Sequence, residues 1–225
     1  MAYIPSIVAT SELSTRCGQF LTLYGQGKVR DTFDLEKGIL LPVTTDRLSA
    51  FDFVMTRTVP NKGWILNIVN LFMRRVIGDA VKHDTIAFGA DVDGYLPKVL
   101  RGNLDLQMRA IAVSRKEMVP FEIIPRNFLT GSAWREYLKK DGPVHGCNIL
   151  GYDLPPGLHD GSRLPEPILT ASTKAREGHD VNVPWQVVVT QFPWIPELAR
   201  EINRRLFEYA ESRGYYLADH KLEFA

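Results

Sequence analysis

The sequence predicts an α+β protein of two lobes, and three features carry that prediction. Short apolar runs separated by turn residues fill positions 19–45, as strands of a small sheet do. A stripe with three- and four-residue spacing follows between Asn61 and Gly78, as on a helix. A dense run of proline and glycine over 141–167 then precedes a long amphipathic pattern ending near Ser212. The resulting division is a sheet-rich lobe over 1–117 and a mixed lobe over 118–225.

Taken in order, Gln19–Tyr24, Val29–Asp34 and Gly38–Thr45 read as strands, with Asp34–Gly38 turning between the last two. An antiparallel sheet therefore opens the fold. Ile65, Ile68, Val69, Phe72, Val76 and Ile77 form the helical stripe, and Arg74 and Arg75 sit near its C-terminal end, where cations suit the helix dipole. Strand-like patterns return at Leu104–Val113 and Val119–Ile124. Ser132 is placed to cap a helix over Ala133–Lys140. The prolines and glycines of 141–167 exclude a helix and imply an ordered loop or a hairpin excursion. Leu198, Ile202, Leu206 and Tyr209 share one face of a helix over Pro196–Ser212, and Gly214 stops it. Tyr215–Phe224 closes the chain as a strand.

Composition narrows the function class. Of 225 residues, 45% are apolar and 24% charged, and 27 Lys+Arg against 26 Asp+Glu leave a formal charge of +1. A dedicated nucleic-acid binder would be strongly basic, so nucleic acid is not an expected partner. Cys17 and Cys147 stand far apart, which excludes a disulfide framework or a Cys-x-x-Cys motif and suits reduced thiols in the cytoplasm. The N-terminus lacks the basic flank and apolar run of a signal peptide, and no stretch is long enough to span a membrane.

Five segments carry candidate chemistry. In Tyr24-Gly-Gln-Gly-Lys-Val-Arg-Asp31, Gly25 and Gly27 allow close backbone approach while Lys28 and Arg30 supply cations, which suits a polyphosphate; an ordinary hairpin turn reads the same way. In Thr44-Thr-Asp-Arg-Leu-Ser-Ala-Phe-Asp52, Asp46, Ser49 and Asp52 crowd a strand end and offer oxygens to ribose, amino groups or metal-bound water; helix capping by Asp46 or Ser49 is the alternative. Met118–Ser132 leads a strand through Glu122 and Arg126 into a Thr-Gly-Ser turn, where a guanidinium fork and a helix start could hold an oxyanion. Leu164–Asp180 brings Ser172, Thr173, Lys174, His179 and Asp180 together after two prolines, without zinc-ligand spacing. In Leu217–Ala225, alternation puts Asp219, Lys221 and Glu223 on one face, a row that suits Mg²⁺ and phosphate or simply solvent.

The order and wording of these segments resemble the SAICAR synthetase family, on the strings Gly27-Lys-Val-Arg-Asp31, Thr45-Asp-Arg-Leu-Ser-Ala-Phe-Asp52, Leu129-Thr-Gly-Ser-Ala-Trp134, Leu164–Lys174 and Ala218-Asp-His-Lys-Leu-Glu-Phe224. The resemblance implies a two-lobed fold related to ATP-grasp and kinase-like nucleotide sites, with ATP between the lobes. It implies a ligase that joins L-aspartate to the carboxylate of CAIR, the imidazole carboxylate ribonucleotide, giving SAICAR, ADP and phosphate in purine biosynthesis. It further implies that Gly27, Lys28 and Arg30 cradle phosphates and that the backbone at Met118 and the carboxylate of Glu122 meet adenosine. Ser49, Asp52, Arg126 and Ser132 would hold CAIR, the last two at its phosphate. Lys174 and Asp180 would serve the carboxylate and the incoming aspartate, Lys221 the transferred phosphate, and Glu223 Mg²⁺.

The chain departs from the family pattern at Pro125, Asn127 and Val181, and it stops at Ala225 where the family continues into an acidic segment. The expectation drawn from that end is a chain that binds Mg-ATP and makes little SAICAR alone. A homologue that binds nucleotide or a partner without turnover is the second reading. A protein-kinase-like phosphotransferase is disfavoured, since neither a His-Arg-Asp nor an Asp-Phe-Gly string occurs.

Overall fold

The computed structural model describes residues 9–50, 53–173 and 181–225. They form two compact units, one over residues up to Arg75 plus Lys82–Lys116, the other over Val76–Val81 plus Glu117–Ala225. The short Val76–Val81 segment thus joins the second unit, which a linear division of the chain does not anticipate. Among the described residues no helix is long and apolar enough to cross a membrane.

The first unit begins with α1 (Ala9–Gly18) and the strands β1 (Thr22–Gln26), β2 (Arg30–Asp34) and β3 (Ile39–Thr44). A hairpin of β4 (Arg47–Ala50) and β5 (Phe53–Thr58) follows, then α2 (Lys62–Ile77), β6 (Thr85–Phe88), α3 (Leu104–Arg109) and β7 (Ile111–Ser114). The sheet order is β1-β2-β3-β7-β6, antiparallel at each pairing. Phe33, Leu41 and Val43 alternate inward from β2 and β3 onto a core shared with Leu13, Cys17, Leu96 and Leu106. Burial pushes the Cys17 thiol up to about 11, so it is a protonated core group.

Two features of this unit differ from the sequence expectation. Leu104–Val113 is not one strand: Asn103 Oδ1 accepts from Leu106 N at 3.0 Å and caps α3, so only the last residues join the sheet. The apolar stripe of α2 is also turned outward. Ile65, Ile68, Val69 and Phe72 are exposed, whereas Gly63 and Asn67 are buried. The cause lies in polar anchors. Asp46 accepts from Gly63 N at 2.8 Å, Asn67 Nδ2 donates to Met108 O at 2.9 Å, and Arg74 binds Asp84. A Cβ at position 63 would collide with the Thr44 carbonyl and Arg109, so only glycine lets the helix come this close.

The second unit is built on a four-stranded sheet in the order β12-β11-β8-β13. Its elements are β8 (Phe121–Leu129), α4 (Gly131–Lys139), the single turn α5 (Gly142–His145), the hairpin β9 (Cys147–Ile149) and β10 (Tyr152–Leu154), β11 (Ser162–Thr173), β12 (Asn182–Val183), α6 (Trp185–Gln191), α7 (Ile195–Ser212) and β13 (Leu222–Glu223). One sheet face, with Phe121, Ile123, Leu169 and Ala171, packs on Val188, Ile195, Ala199, Ile202 and Leu206 of α6 and α7. A second cluster of Leu129, Tyr137, Ile149, Leu154 and Leu164 fills the hairpin side.

The expected hairpin excursion is present, but 141–167 does hold one helical turn, with Pro143 in its first positions where a missing N–H costs nothing. The C-terminal strand is shorter than Tyr215–Phe224: its ladder covers Leu222 and Glu223, with one further bridge between Arg126 and Asp219. Pro125 accounts for the gap. Its carbonyl accepts from His220 N at 3.4 Å, so the missing Pro125 N–H is on that same side.

Candidate functional site

In the first unit the glycine segment is the β1–β2 hairpin. A bulge between Leu23 and Gly25 precedes the turn, and Gly27 N donates to Arg30 O at 2.7 Å to close it. Lys28 and Arg30 lie exposed on this turn. Arg47, which the sequence reading did not single out, grips it from β4. Its Nη2 and Nε donate to the carbonyls of Gly27 and Lys28 at 2.9 and 3.0 Å, and its Nη1 and Nη2 bind the Asp31 carboxylate at 2.9 and 2.6 Å. Asp31 also accepts from Ser14 Oγ at 2.7 Å. Burial alone would raise the Asp31 carboxyl, but the bonds from Arg47 and Ser14 outweigh it and hold it below the usual carboxylate range.

Asp46 is not available as a ligand. It is fully buried and binds Arg109, itself fully buried, at 2.6 and 3.2 Å, while Asp105 holds the other side of that guanidinium at 2.6 Å. Asp46 therefore fixes the start of α2. Ser49 is half-buried on β4 opposite Val54. Asp52 lies outside the described residues.

In the second unit the sheet face opposite α7 is polar. Register places Glu122 of β8 between Ser172 of β11 and Glu223 of β13, and Arg126 between Ile168 and Asp219. Two-residue alternation then brings Glu122, Arg126, Thr170, Ser172, Asp219, Lys221 and Glu223 to one face. Arg126 is nearly buried. Its Nε donates to Thr170 Oγ1 at 3.0 Å, Nη1 to Asp219 Oδ2 at 3.2 Å and Nη2 to Ser132 Oγ at 3.1 Å. Burial lowers its pKa, and the carboxylates of Asp219 and Glu136 offset part of that. Ser132 sits in the first turn of α4 rather than capping it. The cap position belongs to Thr130, so the Ser132 hydroxyl is free to receive Arg126.

Lys221 Nζ binds both Glu122 oxygens, at 3.0 and 3.1 Å. Residues expected at phosphate and at adenosine are thus paired with each other, Glu122 buried and Lys221 half-exposed. Met118 is exposed on the segment entering β8, and its neighbour Val119 donates to Phe224 O at 2.9 Å. Lys174, His179 and Asp180 lie outside the described residues. The structure therefore gathers Arg126, Ser132, Glu122, Lys221 and Glu223 in one unit and Gly27, Lys28, Arg30 and Ser49 in the other. Among the described residues no group of three or more His, Cys, Asp or Glu side chains is placed to hold a metal.

Two departures from the family pattern find a structural use. Asn127 and Asn203 exchange amide bonds at 3.1 and 2.8 Å inside the core, tying β8 to α7. Val181 carries its backbone into the sheet, where Thr173 N donates to its carbonyl at 2.9 Å.

The SAICAR synthetase family profile matches residues 23–225. Phosphoribosylaminoimidazole-succinocarboxamide synthase of Saccharomyces cerevisiae is 37% identical over 221 residues, 93% of this chain and 70% of that protein. The structure described as SAICAR-synthase from Saccharomyces cerevisiae complexed with SAICAR superposes with a TM-score of 0.80 at 32% identity, covering 91% of this chain and 68% of that one. A type-2 SAICAR synthetase in complex with ADP, 23% identical, shares the fold at a TM-score of 0.66 over 89% of this chain and 74% of its own. The chain belongs to the SAICAR synthetase family.

Proposed function

We propose that this chain carries the ATP-dependent ligation of L-aspartate to the carboxylate of CAIR, giving SAICAR, ADP and phosphate. The observation that carries this reading is the polar sheet face of the second unit, where a nearly buried arginine meets Ser132 and Thr170 on the same face as a glutamate–lysine pair whose Glu122 lies four positions earlier on β8, in a chain of this family. A carboxylate resists attack by an amine because the approach must build charge on a group already anionic. Transfer of the ATP γ-phosphoryl to a carboxylate oxygen converts that oxygen into a leaving group. The aspartate amine then attacks the carboxyl carbon, the C–O bond to phosphate breaks, and the amine loses a proton. Positioning and neutralisation of phosphoryl charge are what the protein must supply.

In this reading Gly27, Lys28 and Arg30 receive the ATP phosphates, and the Met118 backbone and Glu122 meet adenosine. Arg126 and Ser132 hold the CAIR phosphate, with Ser49 and Asp52 at the rest of the nucleotide. A buried guanidinium whose direct ion pair is with one half-exposed carboxylate, Glu136 acting only from further away, gains from another anion in contact, which supports the role given to Arg126. Lys174 and Asp180 serve the carboxylate and aspartate on the strength of sequence alone. Lys221 neutralises the transferred phosphate, which requires it to leave Glu122 or to share it.

Mg²⁺ fits the residues present, since it needs one or two carboxylates when phosphates supply further oxygens, and Glu223 stands beside Glu122 on the polar face. When bound, the ion would neutralise phosphate oxygens. The cytoplasm is the compartment where these substrates and reduced thiols belong together. The test is ADP release in reactions from which ATP, Mg²⁺, CAIR or aspartate is omitted one at a time. Release that requires all four supports the reading. ATP bound without any CAIR- and aspartate-dependent release would favour a nucleotide-binding chain without turnover.

A further inference from the structure

We propose that Arg47 is a positioning residue for the nucleotide: it holds the Gly27–Asp31 turn in the shape that aims backbone N–H groups at a polyphosphate. The inference rests on reading this turn as the ATP phosphate site. Three successive carbonyls are drawn to the same short stretch of chain. Gly27 O and Lys28 O accept from the Arg47 guanidinium, and Val29 O accepts from both Thr45 N and Thr45 Oγ1 at 2.9 Å each. No peptide bond described here is cis, so in each peptide plane the following N–H points the opposite way from the carbonyl. The N–H groups of Lys28 and Val29 are thereby turned away from Arg47 in succession, the arrangement in which a turn receives anionic oxygens.

Arg47 is itself held at every end. Asp31, almost fully buried, takes two of its bonds and is fixed by Ser14, while Lys62 Nζ from α2 donates to the Arg47 carbonyl at 3.1 Å. The requirement is for a guanidinium. A fork with five donors can span two carbonyls and a carboxylate at once, whereas an ammonium on a flexible stem reaches one or two of them and leaves the turn free to rotate. This joins the two strings around residues 27–31 and 45–52 into one device: the second string shapes the first. A residue contacting phosphate directly through charge would instead be served well by lysine.

The test compares wild type, Arg47→Lys, Arg47→Met and Asp31→Asn by calorimetric titration with ADP, by steady-state kinetics and by thermal melts. The expected result is a folded Arg47→Lys protein whose ADP affinity and ATP KM are each weakened by roughly tenfold, with Arg47→Met weaker still. KM for CAIR and for aspartate stays within about twofold of wild type, because a tie confined to the phosphate turn removes binding of one substrate only. Should Arg47→Met fail to fold, Arg47→Lys and Asp31→Asn carry the comparison. Unchanged ADP affinity in folded Arg47→Lys, or equal losses for ADP and CAIR, would overturn the inference while leaving the phosphate-site reading intact. Wild type that binds no ADP would remove both.

Discussion

Arg109 and Arg126 are both buried arginines, and their surroundings give them opposite tasks. Arg109 has no exposure and is flanked by two carboxylates, Asp46 and Asp105, which neutralise it and hold its pKa up against the pull of burial. It is a structural tie. Removing one partner of such a group leaves a buried charge uncompensated, so Arg109→Met should lower stability by ~3–5 kcal/mol, read from urea melts. Its ADP affinity, measured on the folded fraction, should stay at the wild-type value. Arg126 has one half-exposed carboxylate and two hydroxyls, which leaves it able to take an anion. CAIR should therefore bind wild type far more tightly than the nucleoside lacking its phosphate, and Arg126→Ala should abolish the difference. A mutant with the same preference would assign the phosphate to another residue. Lys28→Ala should weaken ADP binding by ~1.5–3 kcal/mol in calorimetry, the range of a charge-assisted hydrogen bond. Equal affinities with an intact fold would remove the turn from the phosphate site.

At the scale of elements, the segment Ala218–Phe224 matters most, because it carries Asp219, Lys221 and Glu223. It is attached through Val119 N to Phe224 O, Asn127 N to Ala218 O and His220 N to Pro125 O rather than through a long ladder. His220 lies in this segment with neither ring nitrogen hydrogen-bonded among the described residues, and burial pushes its pKa down from 6.5 to about 4, with Asp219 opposing. The neutral ring belongs to the folded state and the unfolded chain binds the proton first. Stability is therefore full above 6.5, falls as pH drops through the window and is lost below about 4. The contribution is on the order of 3 kcal/mol. His220→Gln should flatten that part of the pH–stability curve, and an unchanged slope would show that another group titrates. Asn203→Ala should cost ~1–3 kcal/mol in a urea melt, because it strands Asn127 Oδ1 in the core while Nδ2 keeps its bond to the Leu217 carbonyl.

Elements defined by local signals were legible in the sequence. The first strands, the turn at Asp34–Gly38 and the long C-terminal helix follow from alternation, turn residues and the stop at Gly214. What failed was decided by distant partners in one case and by a neighbouring cap in the other. The orientation of α2 depends on Asp46, Asn67 and Arg74 finding partners elsewhere in the chain. Leu104, Leu106 and Met108 alternate like a strand, and a single Asn103 side chain makes them a helix.

At the scale of the whole molecule, two compact units each present one candidate constellation: the arginine-braced glycine turn and the polar sheet face. The strings around 27–31 and 118–132 stand out as candidates in the sequence because chemistry and spacing coincide in them. The roles of Asp46 and Arg47 do not, since adjacent residues of one string serve the core and the turn respectively, and only tertiary contacts separate those roles. The proposed ligation requires that the CAIR carboxylate be activated by phosphorylation before aspartate attacks. Carboxylate-labelled CAIR, carrying ¹⁸O in both oxygens, tests this most directly when inorganic phosphate from the reaction is analysed by mass. The expected result is a single ¹⁸O in each phosphate released, matched one to one with SAICAR formed. Unlabelled phosphate accompanying SAICAR would contradict it.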